Sequence, residues 1–173
     1  MKNIIGGGPS GLMTAYELGR RGFRTNVYEE HSKIGEPVQC TGIVTRDIYN
    51  VCRPDKDVIL NKIKKAVIHS PSKSLQINLK DLVIDRAGFD KQLAEMARSV
   101  NAKIILNKKI RNIPNNKHVT IAADGPASQT RKWMNPKEKV RFLTGKQARI
   151  KGEFQEDAFH VYLGNHHPGF FGW

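Results

Sequence analysis

Apolar Ile4 and Ile5 run straight into a glycine-rich stretch, Gly6 to Gly11, and beyond it Leu12, Ala15, Tyr16 and Leu18 recur at mainly helical spacing until Gly22 supplies a stop. Residues 25–28 are β-prone and end at Glu29. The pattern predicts strand, helix and strand within about thirty residues. A loop rich in turn formers follows over 30–44, with Gly35, Pro37, Cys40 and Gly42 in it. Residues 63–70 and 74–79 read as two strands joined by a Pro-Ser-Lys turn, a hairpin of a separate sheet. Helical period then returns: Phe89, Leu93, Met96, Ala97 and Val100 line one face of a helix over about 88–100, and 104–106 restarts a strand behind it. Residues 119–123 form another β-prone run closed by Asp124-Gly125-Pro126, and 128–134 begins a helix or turn. Residues 146–151 and 159–163 alternate as strands do, so the last thirty residues are expected to return to the second sheet.

This order of elements predicts an α/β fold. A Rossmann-like βαβ domain, over 1–61 and 85–135, is interleaved with a partial, mainly β domain over 62–84 and 136–173. At 173 residues the chain is long enough for such a core. With 39% hydrophobic and 26% charged residues, no apolar run approaches the roughly 18 needed to span a bilayer. The opening MKNIIGGG enters a strand at once and leaves no room for a leader, which predicts a cytoplasmic protein. Cys40 and Cys52 fit neither a disulfide framework nor a four-ligand zinc site, so no metal is expected.

Charge changes the picture in one place. The net charge is +13, and residues 101–151 hold thirteen Lys or Arg against only Asp124 and Glu138. Such a block suits an anionic membrane surface, phosphorylated ligands or nucleic acid, and equally a solvated lysine-rich face. No zinc-finger spacing, RNP motif or helix-turn-helix pattern accompanies it, which speaks against nucleic acid.

The glycines carry the first chemistry. In a dinucleotide fold Gly6 makes the tight turn after the strand, Gly8 lets the backbone approach a pyrophosphate, and Gly11 allows close packing of helix on strand. The helix that begins at Pro9 and Ser10 points its amides and dipole at the phosphates. Glu29, eighteen residues after Gly11, stands where a carboxylate accepts hydrogen bonds from both ribose hydroxyls. An acid there repels a ribose 2′-phosphate, so the site is expected to hold FAD or NAD rather than NADP.

Gly6-Gly7-Gly8-Pro9-Ser10-Gly11, Glu29, and the stretch from Ile34 through Gly35-Glu36-Pro37-Val38-Gln39-Cys40 to Gly42 together resemble the start of the geranylgeranyl reductase family, within the p-hydroxybenzoate hydroxylase-like flavoproteins. The resemblance implies an FAD-dependent oxidoreductase that reduces carbon–carbon double bonds of isoprenoid chains, with NAD(P)H or ferredoxin as electron donor. It makes Cys40 the catalytic candidate beside the flavin; an inert buried thiol is the plain alternative. The stretch from Asp85 and Arg86 through Phe89 and Asp90 to Leu93 is similar to a family segment whose arginine holds the cofactor. An ordinary salt bridge to Asp85 or Asp90 is the other reading of Arg86. Asp124 and Gly125, in Ala-Asp-Gly-Pro-Ala-Ser, look like the second flavoprotein fingerprint, which contacts the pyrophosphate. Pro168-Gly169-Phe170-Phe171-Gly172-Trp173 resembles the start of the substrate-cavity motif, giving Phe171 and Trp173 as an isoprenoid lining or as ordinary core.

The resemblance covers almost the whole chain but only the first half of a family member. A third fingerprint, Gly-Asp-Ala, has no counterpart, and between Ile113 and Asp124 there is room for only Pro114-Asn115-Asn116 and one strand. A truncated, non-catalytic FAD-binding remnant is therefore an alternative, as is an FAD-dependent aromatic monooxygenase. The implied partners are an isoprenoid lipid and, through residues 101–151, an anionic membrane touched peripherally.

Overall fold

The computed structural model describes residues 1–112, 118–134 and 141–173. Those residues divide into two compact units. One is built on Met1–Cys40 and the chain from Arg86 onward; the other holds Thr41–Asp85 and the C-terminal residues up to Trp173.

The first unit carries a four-stranded sheet of β1 (Lys2–Ile5), β2 (Thr25–Tyr28), β6 (Lys103–Ile105) and β7 (Val119–Ala122), in the order β6-β2-β1-β7 with every pairing parallel. Register explains why so short a sheet holds together. Ile104, Val27, Ile4 and Ile121 are partners in a continuous apolar row across the four strands. Leu12 and Ala15 of helix α1 (Pro9–Arg20) are fully buried, as are Ile4 and Val27. Helix α3 (Arg86–Ser99) packs beside α1 and buries Phe89, Leu93, Ala94 and Ala97. The neighbouring row, Lys103, Asn26, Asn3 and Thr120, falls on the opposite face because side chains alternate along each strand. The side-chain oxygens of Asn3 and Thr120 are buried there without a partner.

The strand order reverses on either side of β1: β2 lies to one side, β7 to the other. That reversal opens a crevice at the carboxyl ends of the strands, the place where open α/β sheets take their ligands.

The second unit carries a mixed sheet in the order β3-β5-β4-β8, with β3 (Ile43–Val44), β4 (Ile59–His69), β5 (Ser74–Ile84) and β8 (Ala158–Tyr162). β4 and β5 form the expected hairpin, but each is longer than periodicity predicts. The extra residues of β5 gain a second partner: Leu82 and Val83 pair with β3. A short helix α2 (Ile48–Val51), absent from the sequence reading, lies between β3 and β4.

The C-terminal return to this sheet is real, since β8 pairs in parallel with β4. The strand expected over 146–151 is not formed. Those residues are exposed and irregular, and they pair with no strand of either sheet. Alternation without a partner makes no strand. The stretch Ile113 to Asn116, where the sequence leaves no room for a longer insertion, lies outside the described residues.

Candidate functional site

A cleft of about 580 Å³ lies within the first unit, at the carboxyl ends of β1, β2 and β7. The glycine turn forms its floor. Gly6 has φ +107, and a Cβ on it would sit 2.2 Å from the Ala123 carbonyl oxygen. A Cβ on Gly11 would lie 2.0 Å from the Gly6 carbonyl oxygen. These two glycines are demanded by close packing of turn, helix and sheet. Gly8 differs: its φ is −80, and nothing lies within 4 Å of where its Cβ would be. The fold does not need a glycine at position 8, and its absence of a side chain leaves the cleft open there.

Helix α1 starts with Gly8 as its N-cap and Pro9 in its first turn, and no side chain caps it. Its leading amides are left for an anion. Glu29 closes the adjoining wall. Its Oε2 accepts from the Gly7 backbone N–H at 2.6 Å, and its Oε1 from the His31 backbone N–H at 2.9 Å and from His31 Nδ1 at 2.6 Å. Uncapped amides, an open glycine and a buried carboxylate at this spacing fit the pyrophosphate and ribose of an adenine dinucleotide.

The opposite wall comes from the loop that ends at Cys40 and from the first turn of α3. Ile34 is buried, and Gly35, at φ +80, would place a Cβ 2.8 Å from the Ala87 carbonyl oxygen. This contact seats the loop on α3, with the Glu36–Pro37 peptide in cis. Cys40 is half-buried and lines the cleft beside Arg86. Arg86 Nη2 donates to Asp90 Oδ1 at 3.2 Å and Oδ2 at 3.4 Å, and the guanidinium also hydrogen-bonds the Cys40 thiol. Burial works against the guanidinium's charge, but the field of Asp90 and the bonds to Cys40 and Asp90 outweigh it, and the net pKa direction is up. Arg86 thus makes the salt bridge that its plain reading foresaw, while still facing the cleft. By contrast the other thiol, Cys52, is buried in the second unit, and burial with nearby Asp55 pushes its pKa up.

Asp124 and Gly125 line the third side. The Asp124 carboxylate is spent on the chain itself: Oδ1 accepts from Ser128 Oγ at 2.6 Å, and Oδ2 accepts from Thr130 N–H at 2.9 Å and Thr130 Oγ1 at 3.0 Å. Ser128 Oγ in turn accepts from Arg131 N–H at 2.9 Å, capping helix α4 (Gln129–Met134). Burial tends to raise the Asp124 pKa, but these donors prevail and hold it below the usual carboxylate value.

The cleft therefore brings together Gly6, Gly8, Pro9, Glu29, Cys40 and Arg86, with Asp124 and Gly125. Ser10 is exposed and Gly11 buried just beyond its edge. Phe171 and Trp173 belong to the second unit, where Phe171 stacks on Phe170 at 4.2 Å and meets Trp173 edge-on at 6.3 Å. The sequence reading named Asp90 only as a salt-bridge partner of Arg86 and missed His31, Lys108 and Lys109, all of which line the cleft. His31 had a local signal, standing two residues after the acid, and Lys108 and Lys109 lay within the basic block over 101–151. Among the described residues no cluster suited to a metal ion occurs.

Parallel sheet, glycine turn, uncapped helix and terminal acid define a fold of the Rossmann type. A family model for NAD(P)-binding Rossmann-like domains matches residues 4–46. Digeranylgeranylglycerophospholipid reductase of Thermoplasma volcanium is 30% identical over 98% of this chain and 52% of its own length. Its namesake in Thermoplasma acidophilum is 28% identical over the same shares. A solved structure described as geranylgeranyl bacteriochlorophyll reductase-like, also from T. acidophilum, superposes with a TM-score of 0.79 at 26% identity, over 98% of this chain and 51% of that one. The FAD complex of a mutant of halogenase PltM, at 15% identity and TM-score 0.62, shares the fold. In sequence the chain is similar to proteins named digeranylgeranylglycerophospholipid reductase, and in fold to a geranylgeranyl bacteriochlorophyll reductase-like structure. It spans about half the length of the curated relatives it matches.

Proposed function

We propose that this chain is the FAD-binding part of an oxidoreductase that reduces isoprenoid double bonds, on substrates of the digeranylgeranylglycerophospholipid kind. The observation that carries the reading is the assembly, in one cleft, of an open Gly8 at an uncapped helix, a buried Glu29, and Cys40 against Arg86. The relatives' names support the substrate class. FAD, once reduced, supplies the hydride for such chemistry.

The chain's own residues bind and orient. The α1 amides and Gly8 take the pyrophosphate, Glu29 the ribose, and Arg86 an oxygen of the cofactor. Cys40 stands at the reacting end of the cleft, and Phe171 and Trp173 offer apolar contact to an isoprenoid. The electron donor is NAD(P)H or ferredoxin. The basic block at 101–151 would meet anionic head groups, and no helix among the described residues is long and apolar enough to cross a membrane.

The first test is the visible absorption of the purified chain after incubation with FAD and desalting. Retained, protein-perturbed flavin bands support the reading. Loss of all flavin from a folded chain counts against it. Where turnover of a geranylgeranyl lipid is measurable, Cys40→Ala should impair it and spare FAD binding.

A further inference from the structure

Nucleotide recognition at this cleft turns on Glu29, and the structure shows what holds its carboxylate. The Glu29 side chain is only 11% exposed, whereas that of His31 is 48% exposed and lines the same cleft. One carboxylate oxygen is fixed by Gly7 N–H at 2.6 Å, the other by the His31 backbone N–H at 2.9 Å and ring Nδ1 at 2.6 Å. A carboxylate can only accept, so Nδ1 carries the proton of that bond.

The backbone beneath the ring is clasped as well. Glu29 N–H donates to the Ile105 carbonyl at 2.9 Å, Lys108 N–H to the Glu29 carbonyl at 2.8 Å, and Asn107 N–H to the His31 carbonyl at 3.0 Å. Asn107 itself turns the chain at φ +55. Three main-chain bonds from the end of β6 thus set residues 29–31, and His31 is presented to Glu29 by the fold rather than by chance of rotamer.

We propose that His31 is a positioning residue for nucleotide recognition. Its Nδ1–H, together with the Gly7 and His31 main-chain N–H groups, holds the Glu29 carboxylate in one orientation and leaves the lone pair still free on Oε2 for a hydroxyl of an adenosine ribose. Without the imidazole, Glu29 loses that orientation, and the discrimination for a ribose hydroxyl falls. This inference rests on the reading of the cleft as an adenine-dinucleotide site.

The test is a cycle between the residue and the hydroxyls. Dissociation constants are measured calorimetrically for ADP and for 2′,3′-dideoxy-ADP, with the wild-type chain, His31→Ala and His31→Asn, each confirmed folded by thermal melting. The wild type should prefer ADP by about tenfold, the scale of a charge-assisted hydrogen bond. His31→Ala should reduce that preference to less than about threefold, and His31→Asn, whose amide N–H can stand in for Nδ1–H, should restore most of it. An unchanged preference in His31→Ala, or equal weakening of both nucleotides, overturns the proposal, because a merely structural ring would not distinguish them. If the wild type binds neither ADP nor FAD, the dinucleotide reading itself fails and takes this inference with it.

Discussion

At the scale of single residues, three glycines of one motif answer to different masters. Gly6 and Gly11 are held by contacts inside the fold, and Gly8 by none. Gly6→Ala should therefore destabilise the protein by about 2–4 kcal/mol, since a Cβ must be forced against backbone at a left-handed φ. Gly8→Ala should leave the melting temperature within about 2 °C of wild type and weaken FAD binding at least about tenfold. Thermal melts and a flavin fluorescence titration check both, and a stable Gly8→Ala variant with intact affinity would remove the pyrophosphate from this position. Asp124 makes the companion case. The sequence marks it as a cofactor contact, yet its oxygens serve Ser128 and Thr130, so its part at the cleft is to shape the turn that presents Gly125. Its folded pKa lies below the ordinary value, so its contribution is whole above about pH 4 and is lost as the pH falls through the folded pKa. Asp124→Ala should cost about 1–2 kcal/mol at pH 7. The gap from wild type, followed by urea melts, should close under acid.

At the scale of elements, helix α1 shows tertiary packing reversing a propensity. Gly19 sits inside the helix, where Ala would ordinarily stabilise by about 0.5–1 kcal/mol. In this fold a Cβ at Gly19 would lie 2.4 Å from Val100 Cγ2 and 2.9 Å from the Val100 carbonyl oxygen. Gly19→Ala should thus lower stability, and adding Val100→Ala should recover part of the loss by removing the methyl groups while leaving the contacts with Val100 Cβ at 2.8 Å and with the carbonyl. A melt in which Gly19→Ala alone is the more stable chain would show that α1 and α3 pack less closely than described. The elements were otherwise largely legible: β2 falls on the residues that periodicity marks, and α3 and β6 within two residues of it. The strand over 146–151 was not, because alternation reports a tendency to pair and says nothing of whether an open edge exists.

At the scale of the whole molecule, the balance is between charge and exposed apolar area. The chain carries a net charge of +13. It also exposes Leu60, Leu75, Phe142, Ile150 and Phe154 at 60% or more. Self-repulsion keeps such chains apart at low ionic strength, and salt screens it. Sedimentation should show increasing self-association as salt is raised from about 0.02 to 0.5 M, the opposite of what charge pairing would give. Loss of association with salt would mean that ionic contacts drive it.

The sequence by itself determined the local grammar of this protein: the strand, glycine turn, helix and acid of the βαβ unit, the hairpin, and the α3 face. Each is written in neighbours a few residues apart, where periodicity and backbone freedom act directly. The likeness to the geranylgeranyl reductases was legible for the same reason, since its motifs are contiguous. Only the tertiary structure decided which residues share a cleft. It brought Arg86 to Cys40 across forty-six residues of chain, turned Asp124 away toward α4, and set His31 on Glu29 through a loop that begins beyond β6. The Arg86–Cys40 contact and the main-chain bonds that hold residues 29–31 depend on strand order and close approach between distant segments, which no window of sequence contains. The Asp124 turn and the His31–Glu29 pair join near neighbours whose donors only the folded geometry selects.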